Sequence, residues 1–550
     1  NCHIVVEGIV CPGAQLLPLS GIDENDLHAK AKELQAELKS SAIPLALQRA
    51  CATAAERCGS EPARAAFTAN SPAALGAQIE GFLAGQRRPG LATGTVNSGR
   101  PKLAFVFSPQ GSQWLGMGRS LMLSEPVFRS KLSECASALK GFGGWSLFDE
   151  LMQPGERSRL DRAEFVQPAL FSIQVALAAL WQSWGIQPDF ITAHSLGEWA
   201  AAHVAGGLTL EEAMRVVVES SRAQAAAGEG GGMAVVELPA EALAQRLACL
   251  AGDVCIAGFN SPTSTILSGD AGQLRALVAQ WKQQGVTCSL IDVDVAAHSP
   301  RMEPILAGLQ ASLTGIEPTR VAVPFVSSTT GDFLAGPEMG PAHWARHLRE
   351  PVRFRECVER LARAGCTAFL EVSPHPLLVG GIRQTLKERG LEGFALGSCR
   401  RGDDERGSLL DGVGRLYVRG WPVDWPAVLA PNSVDLRTNG DSAPLSRPAP
   451  GPALLLPLSA HTSQALSERA RSLSCQLRPL ARIGVEAVVH TATARRMHLE
   501  HRLATVGSSA DEIASALAAF AEGKRTASVV AGRVPANGLP KIAFICSGQG

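Results

Sequence analysis

One serine and one histidine carry the chemistry that this sequence offers. In Phe190-Ile191-Thr192-Ala193-His194-Ser195-Leu196-Gly197-Glu198 an apolar run passes through small residues into a helical segment, Glu198 to Gly206. A tight strand-to-helix turn demands small neighbours around its serine, because larger Cβ groups would clash. It projects Oγ outward and leaves backbone N–H groups beside it at a helix N-terminus. Ala193 stands where the G-x-S-x-G pattern has its first glycine, so the pattern is nearly met. Taken alone, the segment reads equally well as a serine in an ordinary turn. A serine hydroxyl is a weak nucleophile at neutral pH and needs a hydrogen-bonded base. Asp294-Val295-Ala296-Ala297-His298-Ser299-Pro300 offers His298, after the strand-like run Cys288 to Val295 and before the helix-start signal Pro300. A third segment, Lys102 to Phe107 followed by Gln110-Gly111-Ser112-Gln113, reads as a strand and turn. Such a turn can aim a backbone N–H at an oxyanion, and tetrahedral intermediates need two such donors. It also reads as an ordinary strand-to-helix turn.

The elements that must position these residues follow from composition shifts along the chain. Residues 21–86 are rich in Ala, Glu, Lys and Leu and read as helices broken by Pro44 and Pro62; residues 87–101 read as a loop. Residues 102–396 alternate apolar strands with helical segments. The longest apolar stretch, Pro168 to Trp184, is interrupted by Ser172, Gln174, Gln182 and Ser183 and reads as a buried helix rather than a membrane span. Residues 431–454, rich in Pro, Ser, Asn and Gly, read as a flexible linker.

The chain also repeats itself. Leu17-Pro18-Leu19-Ser20 returns as Leu456-Pro457-Leu458-Ser459, and Pro101-Lys102 through Gln110-Gly111 returns as Pro540-Lys541 through Gln549-Gly550, both at an offset of 439. A period this long is a duplicated multidomain module rather than a solenoid. The expectation is one complete unit followed by the opening of a second.

Composition excludes several classes. The 550 residues suggest about three to five domains. Lys plus Arg number 51 and Asp plus Glu 51, and a neutral chain without a basic block is a poor candidate for binding nucleic acid or acidic membranes. The 13 cysteines contain no C-x-x-C pair and read as reduced, mostly buried thiols of a cytoplasmic protein. The first residues lack the basic and long apolar regions of a signal peptide. No metal or nucleotide motif is evident. The single tyrosine, Tyr417, stands apart from these motifs, which argues against a catalytic tyrosine.

Together the motifs resemble those of the acyltransferase domains of modular type I polyketide synthases and the related malonyl transferases. They run as Gln110-Gly111-Ser112-Gln113, Gln167-Pro168-Ala169-Leu170-Phe171, His194-Ser195-Leu196-Gly197-Glu198, Asn260-Ser261-Pro262, His298-Ser299-Pro300, Trp344 to Val352 and Ser373-Pro374-His375-Pro376. The resemblance implies an α/β fold: an α/β-hydrolase-like large subdomain with an inserted ferredoxin-like small subdomain (about 233–294), plus an N-terminal α+β linker domain. It divides the chain into a ketosynthase C-terminal tail (1–11), a ketosynthase–acyltransferase linker domain (12–100), the acyltransferase domain (101–396), a post-acyltransferase linker (397–430), the flexible linker, and a second linker domain with the first strand of a truncated acyltransferase (455–550). Ser195 is implied as nucleophile and His298 as base, then acid, oriented by a backbone carbonyl. The N–H groups of Gln110 and Leu196 are implied as the oxyanion hole, with Ser220, Val295, Ala297, His194 and Asn260 around the substrate. No bound cofactor or metal is implied: acyl-CoA is the donor, and the phosphopantetheine thiol of an acyl carrier protein the acceptor. No Asp-Ser-Leu attachment site is present, so the carrier comes from elsewhere in the polypeptide.

Three departures from the family bear on the substrate. Extender-unit enzymes hold a free carboxylate with an arginine on the helix after the elbow. Counting back from the loop at Gly228 to Met233 places Ser220 at that position. Arg222 lies two residues on, a rotation of ~200° that should turn it away. A buried carboxylate would lack its bidentate partner, and Glu219 would repel it. A single gap in that count would instead return Arg222 to the pocket and make the chain a malonyl or methylmalonyl enzyme. Second, Val295-Ala296-Ala297 replaces the aromatic-containing segment before the histidine, which should enlarge and grease the pocket for a branched or aromatic acyl chain such as isovaleryl or benzoyl. Third, Pro109 replaces the usual glycine and fixes φ beside the oxyanion loop. The expected activity is loading of a monocarboxylic starter, with a second, extending acyltransferase in tandem. An acyl-thioester hydrolase and an inactive scaffold domain are the rival readings.

Overall fold

The computed structural model describes residues 13–429 and 454–533, apart from gaps at 41–44, 97–99, 154, 228–229, 249–251, 461, 481–499, 508, 525 and 527. The expected ketosynthase tail, most of the flexible linker and the repeated strand at Lys541 lie outside the described residues. The chain divides into two compact units, 11–434 and 435–550 with 1–10.

The first unit opens with a three-stranded antiparallel sheet of β1 (Gln15–Gly21), β2 (Ala63–Ala69) and β3 (Leu91–Thr95), with β2 central. The helices Glu24–Ser40, Leu45–Glu56 and Pro72–Leu83 pack on it. Here the sequence expectation of helices through residue 86 and a loop from 87 fails, because β2 and β3 are strands. The β2 sequence Ala63-Arg64-Ala65-Ala66-Phe67-Thr68-Ala69 has helical propensity, but burial on both sides overrides it. Ala63, Ala65, Phe67 and Ala69 join the linker-domain core. Ala66 faces the other way, toward Gly414 on the helix Glu405–Tyr417.

The central sheet holds β4 (Lys102–Phe107) and β5 (Phe190–Ala193) and, after the insertion described next, β10 (Phe325–Val326), β11 (Phe333–Leu334), β12 (Cys366–Val372) and β13 (Phe394–Gly397). Its order is β11-β10-β5-β4-β12-β13, all neighbours parallel except the β10–β11 pair. Parallel neighbours send their following loops to one edge. Phe107 is the register partner of both Ala193 and Val372. The loops bearing Gln110, Ser195 and Ser373–Pro376 therefore leave from the same edge. The helix Ala163–Ser183 is long and apolar enough to cross a membrane by length and composition, yet 89% of its apolar window is buried inside the protein. It packs on the helices Pro126–Gly143, Gly197–Val204 and Leu210–Ala226.

Between β5 and β10 the chain builds a second sheet from β6 (Gly231–Val236), β7 (Val254–Ser261), β8 (Ser264–Asp270) and β9 (Cys288–Ile291). It is antiparallel with order β7-β8-β6-β9, and the helices Ala240–Ala248 and Ala271–Gln283 complete a βαββαβ connectivity. Leu243, Leu267, Leu274 and Trp281 are buried in its own small core.

In the second unit β14 (Leu454–Ala460), β15 (His501–Gly507) and β16 (Val529–Arg533) form an antiparallel sheet of order β14-β15-β16. Its strands start 439, 438 and 438 residues after β1, β2 and β3. The sequence repeat is thus also a repeat of topology, with one residue lost before β15. Leu456, Leu473, Leu477, Leu503 and Ile513 fill its core.

Candidate active site

Ser195 and His298 are the two non-glycine residues with positive φ among the described residues, at 49° and 59°. Such backbone is costly for any side chain and persists only where its surroundings fix it. At Ser195 the surroundings are those of a strand-to-helix turn. His194 N donates to Phe107 O (2.9 Å), Gly197 N to His194 O (3.1 Å) and Glu198 N to Ser195 O (2.7 Å). Gly197 opens the helix Gly197–Val204 directly against β4; a Cβ there would run into the backbone carbonyls of Phe107 and Ser108.

Below the turn, Glu198 is fully buried and saturated with donors. It accepts from Ser327 Oγ, Ser328 N and Ser328 Oγ at the end of β10, and meets His343 Nε2 at 3.1 Å. Burial alone would raise its pKa, but the His343 hydrogen bond, the charges of His347 and His343 and the Ser327 bond bring it down to about 2. The Ser195 carbonyl accepts from His347 Nε2 at 3.0 Å. His343 and His347 lie one turn apart on the helix Pro341–Arg349 and so reach the elbow from one face.

Ser195 Oγ lies 2.7 Å from His298 Nε2, and His298 Nδ1 lies 2.9 Å from the Glu350 carbonyl. A carbonyl only accepts, so Nδ1 carries the proton and Nε2 presents its lone pair to the serine. His298 N also donates to Leu348 O at 2.8 Å. The motif around Trp344 to Val352 thus fixes both the backbone and the tautomer of His298. Burial, then the neighbouring His347 and His194, lower its pKa to about 3 and keep it neutral. His194 is lowered to about 4, mainly by burial, and its Nε2 meets Asn260 Oδ1 at 2.7 Å.

Gln110 and Leu196 flank Ser195 in the wall of the same chamber, and the backbone N–H of each makes no hydrogen bond to a described residue. They are available as a donor pair. Gln110 is tethered by Gln167 Nε2 to its side-chain oxygen (3.1 Å), and Gln174 holds the Ser108 carbonyl (2.8 Å). Behind the loop, buried Glu371 accepts from Ser108 Oγ and from the N–H groups of Leu377, Leu378 and Val379. Burial pushes its carboxyl above the ordinary range. Pro109 lies beside Gln110 in the chamber wall.

The space around Ser195 has two parts. An outer cleft of about 940 Å³ is bordered by Trp114, Asp161, Asn260, Leu377 and Arg401. An inner chamber of about 70 Å³ is lined by apolar side chains such as Leu196, Trp199, Met233, Val295, Ala297 and Leu348, together with Gln167 and Gln224. Pro109, Gln110, His194, Ile266 and Ile291 border both. Val295 and Ala297 lie where the sequence placed them, in the chamber wall, and Trp199, Gln167 and Gln224 share that wall. Ser220 also differs from expectation: it is buried, does not line the chamber, and its Oγ has no hydrogen-bond partner among the described residues. Gln224, one turn later on the same helix face, lines the chamber and donates to the Ser220 carbonyl at 3.3 Å. Arg222 is 48% exposed, bonds Phe142 O at 2.6 Å and pairs with Glu219. Among the described residues no arginine or lysine lines the inner chamber. Gln224, Trp199 and His347 were missed in the sequence; one-turn spacing from Ser220 was the signal available for Gln224.

A serine held in strained backbone, a neutral imidazole on its hydroxyl and two free amide donors, on a parallel α/β sheet, form an arrangement that can carry out acyl transfer through a serine. The chain belongs to the acyl transferase domain family, whose profile matches residues 104–418, and it is an acyltransferase domain of a modular type I polyketide synthase. A second profile, described as CurL-like, PKS C-terminal, matches residues 454–517. Polyketide synthase GfsB of Streptomyces halstedii is 37% identical over 427 residues, covering 76% of this chain and 8% of that protein. Spectinabilin polyketide synthase system protein NorA of Streptomyces orinoci is 38% identical over 416 residues, covering 76% and 22%. The chain therefore spans a small part of the length of these relatives. The crystal structure of the acyltransferase domain from module 8 of the salinomycin polyketide synthase matches with a TM-score of 0.70 at 33% identity, covering 75% of this chain and 98% of that one. A loading acyltransferase from the avermectin modular polyketide synthase matches with a TM-score of 0.55 at 36% identity, covering 57% and 99%.

Proposed function

We propose that the first unit loads a short monocarboxylic starter acyl group from acyl-CoA, through acyl-Ser195, onto the phosphopantetheine thiol of an acyl carrier protein. His298 Nε2 takes the proton of Ser195 Oγ as the oxygen attacks the thioester carbonyl. The N–H groups of Gln110 and Leu196 hold the developing oxyanion, each worth ~3 kcal/mol. The carbon–sulfur bond breaks and the imidazolium proton leaves with the CoA thiol. In the second half the carrier thiol gives its proton to His298, its sulfur attacks the acyl ester, and Ser195 Oγ leaves with that proton. On this reading the outer cleft holds the pantetheine arm and the inner chamber the acyl group.

The observation that carries the choice of cargo is the outward turn of Arg222, which leaves an apolar chamber without a cation. A distal carboxylate buried there would have no charged partner, at a cost of several kcal/mol. Size narrows the choice. A cavity that takes benzene measures ~150 Å³, about twice this chamber, so a short branched chain such as isovaleryl suits it better than benzoyl. The likeness to a loading acyltransferase supports the same choice.

Within this proposal the βαββαβ insertion is the ferredoxin-like subdomain, and the larger sheet is the α/β-hydrolase-like one. The repeated sheet in the second unit supports a tandem arrangement, in which another acyltransferase and an adjacent ketosynthase belong to the same cytoplasmic polypeptide. The test is the intact mass of the protein after incubation with isovaleryl-, benzoyl-, malonyl- and methylmalonyl-CoA. An isovaleryl adduct that disappears in Ser195→Ala is the expected result. A malonyl adduct without any monoacyl adduct overturns the choice of cargo, and rapid release of free acid despite carrier protein favours hydrolysis.

A further inference from the structure

We infer that Gln224 sets the depth of the acyl chamber and so selects the length of the acyl chain; the inference rests on the inner chamber being the acyl site. Gln224 and Gln167 form a reciprocal amide pair. Gln224 Nε2 donates to Gln167 Oε1 at 3.2 Å, and Gln167 Nε2 donates to Gln224 Oε1 at 3.4 Å. Each side chain is nearly fully buried, at 4% and 3% exposure. The pair is anchored at both ends. Gln167 continues to Gln110 Oε1, and Gln224 Nε2 also donates to Ser220 O at 3.3 Å, folding the amide back along its own helix. Ordered amides tied at both ends form a rigid wall, because moving either one leaves buried polar atoms unpaired.

Ser220 lies one turn earlier on the same face of the helix Leu210–Ala226, and the Gln224 amide folds back onto its carbonyl. Its side chain is small and wholly buried, and its Oγ is unpaired among the described residues. The helix thus offers a small residue one turn from the Gln224 side chain that lines the chamber. Shortening Gln224 would extend the chamber toward Ser220 and keep the apolar lining above. Lengthening the acyl chain by one methylene past a fixed wall changes selectivity by ~10–200-fold.

The experiment measures kcat/KM for acyl transfer to pantetheine from isobutyryl-, isovaleryl-, hexanoyl- and octanoyl-CoA, using the full chain. Wild type is expected to favour isovaleryl over hexanoyl by at least ~10-fold, and Gln224→Ala to bring the two within ~3-fold. Gln224→Leu, similar in bulk but without the amide, is expected to keep the wild-type ratio within ~2-fold. Gln224→Asn, shorter by one methylene, is expected to move the ratio part of the way, which keeps the test open if the alanine variant folds poorly. A ratio unmoved in both shortened variants overturns the inference, as does a leucine variant that shifts as far as alanine. If wild type takes malonyl-CoA and no monocarboxylic donor, the starter reading falls. The same variants are then compared with malonyl- and 2-propylmalonyl-CoA, and chamber depth stands or falls on that ratio.

Discussion

Ser220 and Arg222, two residues apart on one helix, face opposite sides of it: Ser220 is wholly buried with the Gln224 amide on its carbonyl, and the Arg222 guanidinium lies outside on the Phe142 carbonyl. The helical rotation of ~200° over two residues produces this separation. A guanidinium on the outer face has no route to a carboxylate in the chamber. Arg222→Ala is therefore expected to leave acyl-CoA selectivity and kcat/KM within ~2-fold of wild type, with a stability change within ~0.5 kcal/mol. Steady-state kinetics with isovaleryl- and malonyl-CoA check this; loss of malonyl transfer in the variant would mean that Arg222 reaches the substrate.

A second expectation concerns His347, whose Nε2–H holds the Ser195 carbonyl at 3.0 Å. That carbonyl belongs to a residue in left-handed backbone, so its partner helps to keep Oγ aimed at His298. His347→Ala removes one of the two donors on that carbonyl, leaving Glu198 N at 2.7 Å, a cost of ~0.5–1.5 kcal/mol, and opens a gap beside Trp199 and Trp344. The expected outcome is a ~10–100-fold lower kcat with KM for acyl-CoA within ~2-fold. His347→Gln places an amide donor near the Nε2 position and is expected to recover most of kcat. An alanine variant with unchanged kcat contradicts the positioning role.

The sequence shows the site better than it shows the walls around it. Ser195, His298 and Gln110 are legible because strained turns and polar loop ends limit which residue types are allowed there. That Gln110 and Ser195 meet follows from two adjacent parallel strands, and the sequence identifies the strands but not their adjacency. The alanine-rich β2 was illegible because its strand state comes from burial on both faces, which is a tertiary fact. Ser220 was placed correctly on its helix but given the wrong contact. Counting along the chain yields a helix face, whereas the reach of a neighbouring side chain such as Gln224 decides which residue on that face meets the chamber. His343 and His347 stand at helical spacing, yet their target, Glu198 and the Ser195 carbonyl, lies about 150 residues away.

The close approach of Gly197 to β4 gives a third expectation. A Cβ at this position would collide with the carbonyls of Phe107 and Ser108, and all of the clashing atoms belong to backbone. Neither side can yield without breaking the β4–β5 pairing or displacing the oxyanion loop. Gly197→Ala is expected to destabilise the protein by ~2–4 kcal/mol and to abolish acylation of Ser195. Urea unfolding and intact mass after isovaleryl-CoA treatment measure both effects. An alanine variant that folds and acylates normally would contradict the contact.

The buried imidazoles make stability depend on pH with a definite sign. His298 and His194 are lowered, chiefly by burial, to about 3 and about 4 in the folded protein. In the unfolded chain both titrate near ~6.5. Between these values the unfolded state binds protons that the folded state refuses, so stability rises with pH across the window. Their full contribution is present above ~6.5 and is lost progressively as pH falls toward 4 and then 3. Glu198, held down to about 2, adds to the same slope only below the ordinary glutamate value of ~4.3. The midpoint of thermal unfolding is thus expected to be nearly level between about pH 7 and 8 and to fall steadily from about pH 6.5 to 5, a range in which few carboxylates titrate. His194→Asn removes one titrating imidazole and is expected to flatten that fall. Ser195→Ala leaves both imidazoles in place and is expected to keep it. A midpoint that stays constant from pH 7 to 5 would mean that these imidazoles take up protons in the folded protein as readily as in the unfolded chain, and so are not held neutral by burial.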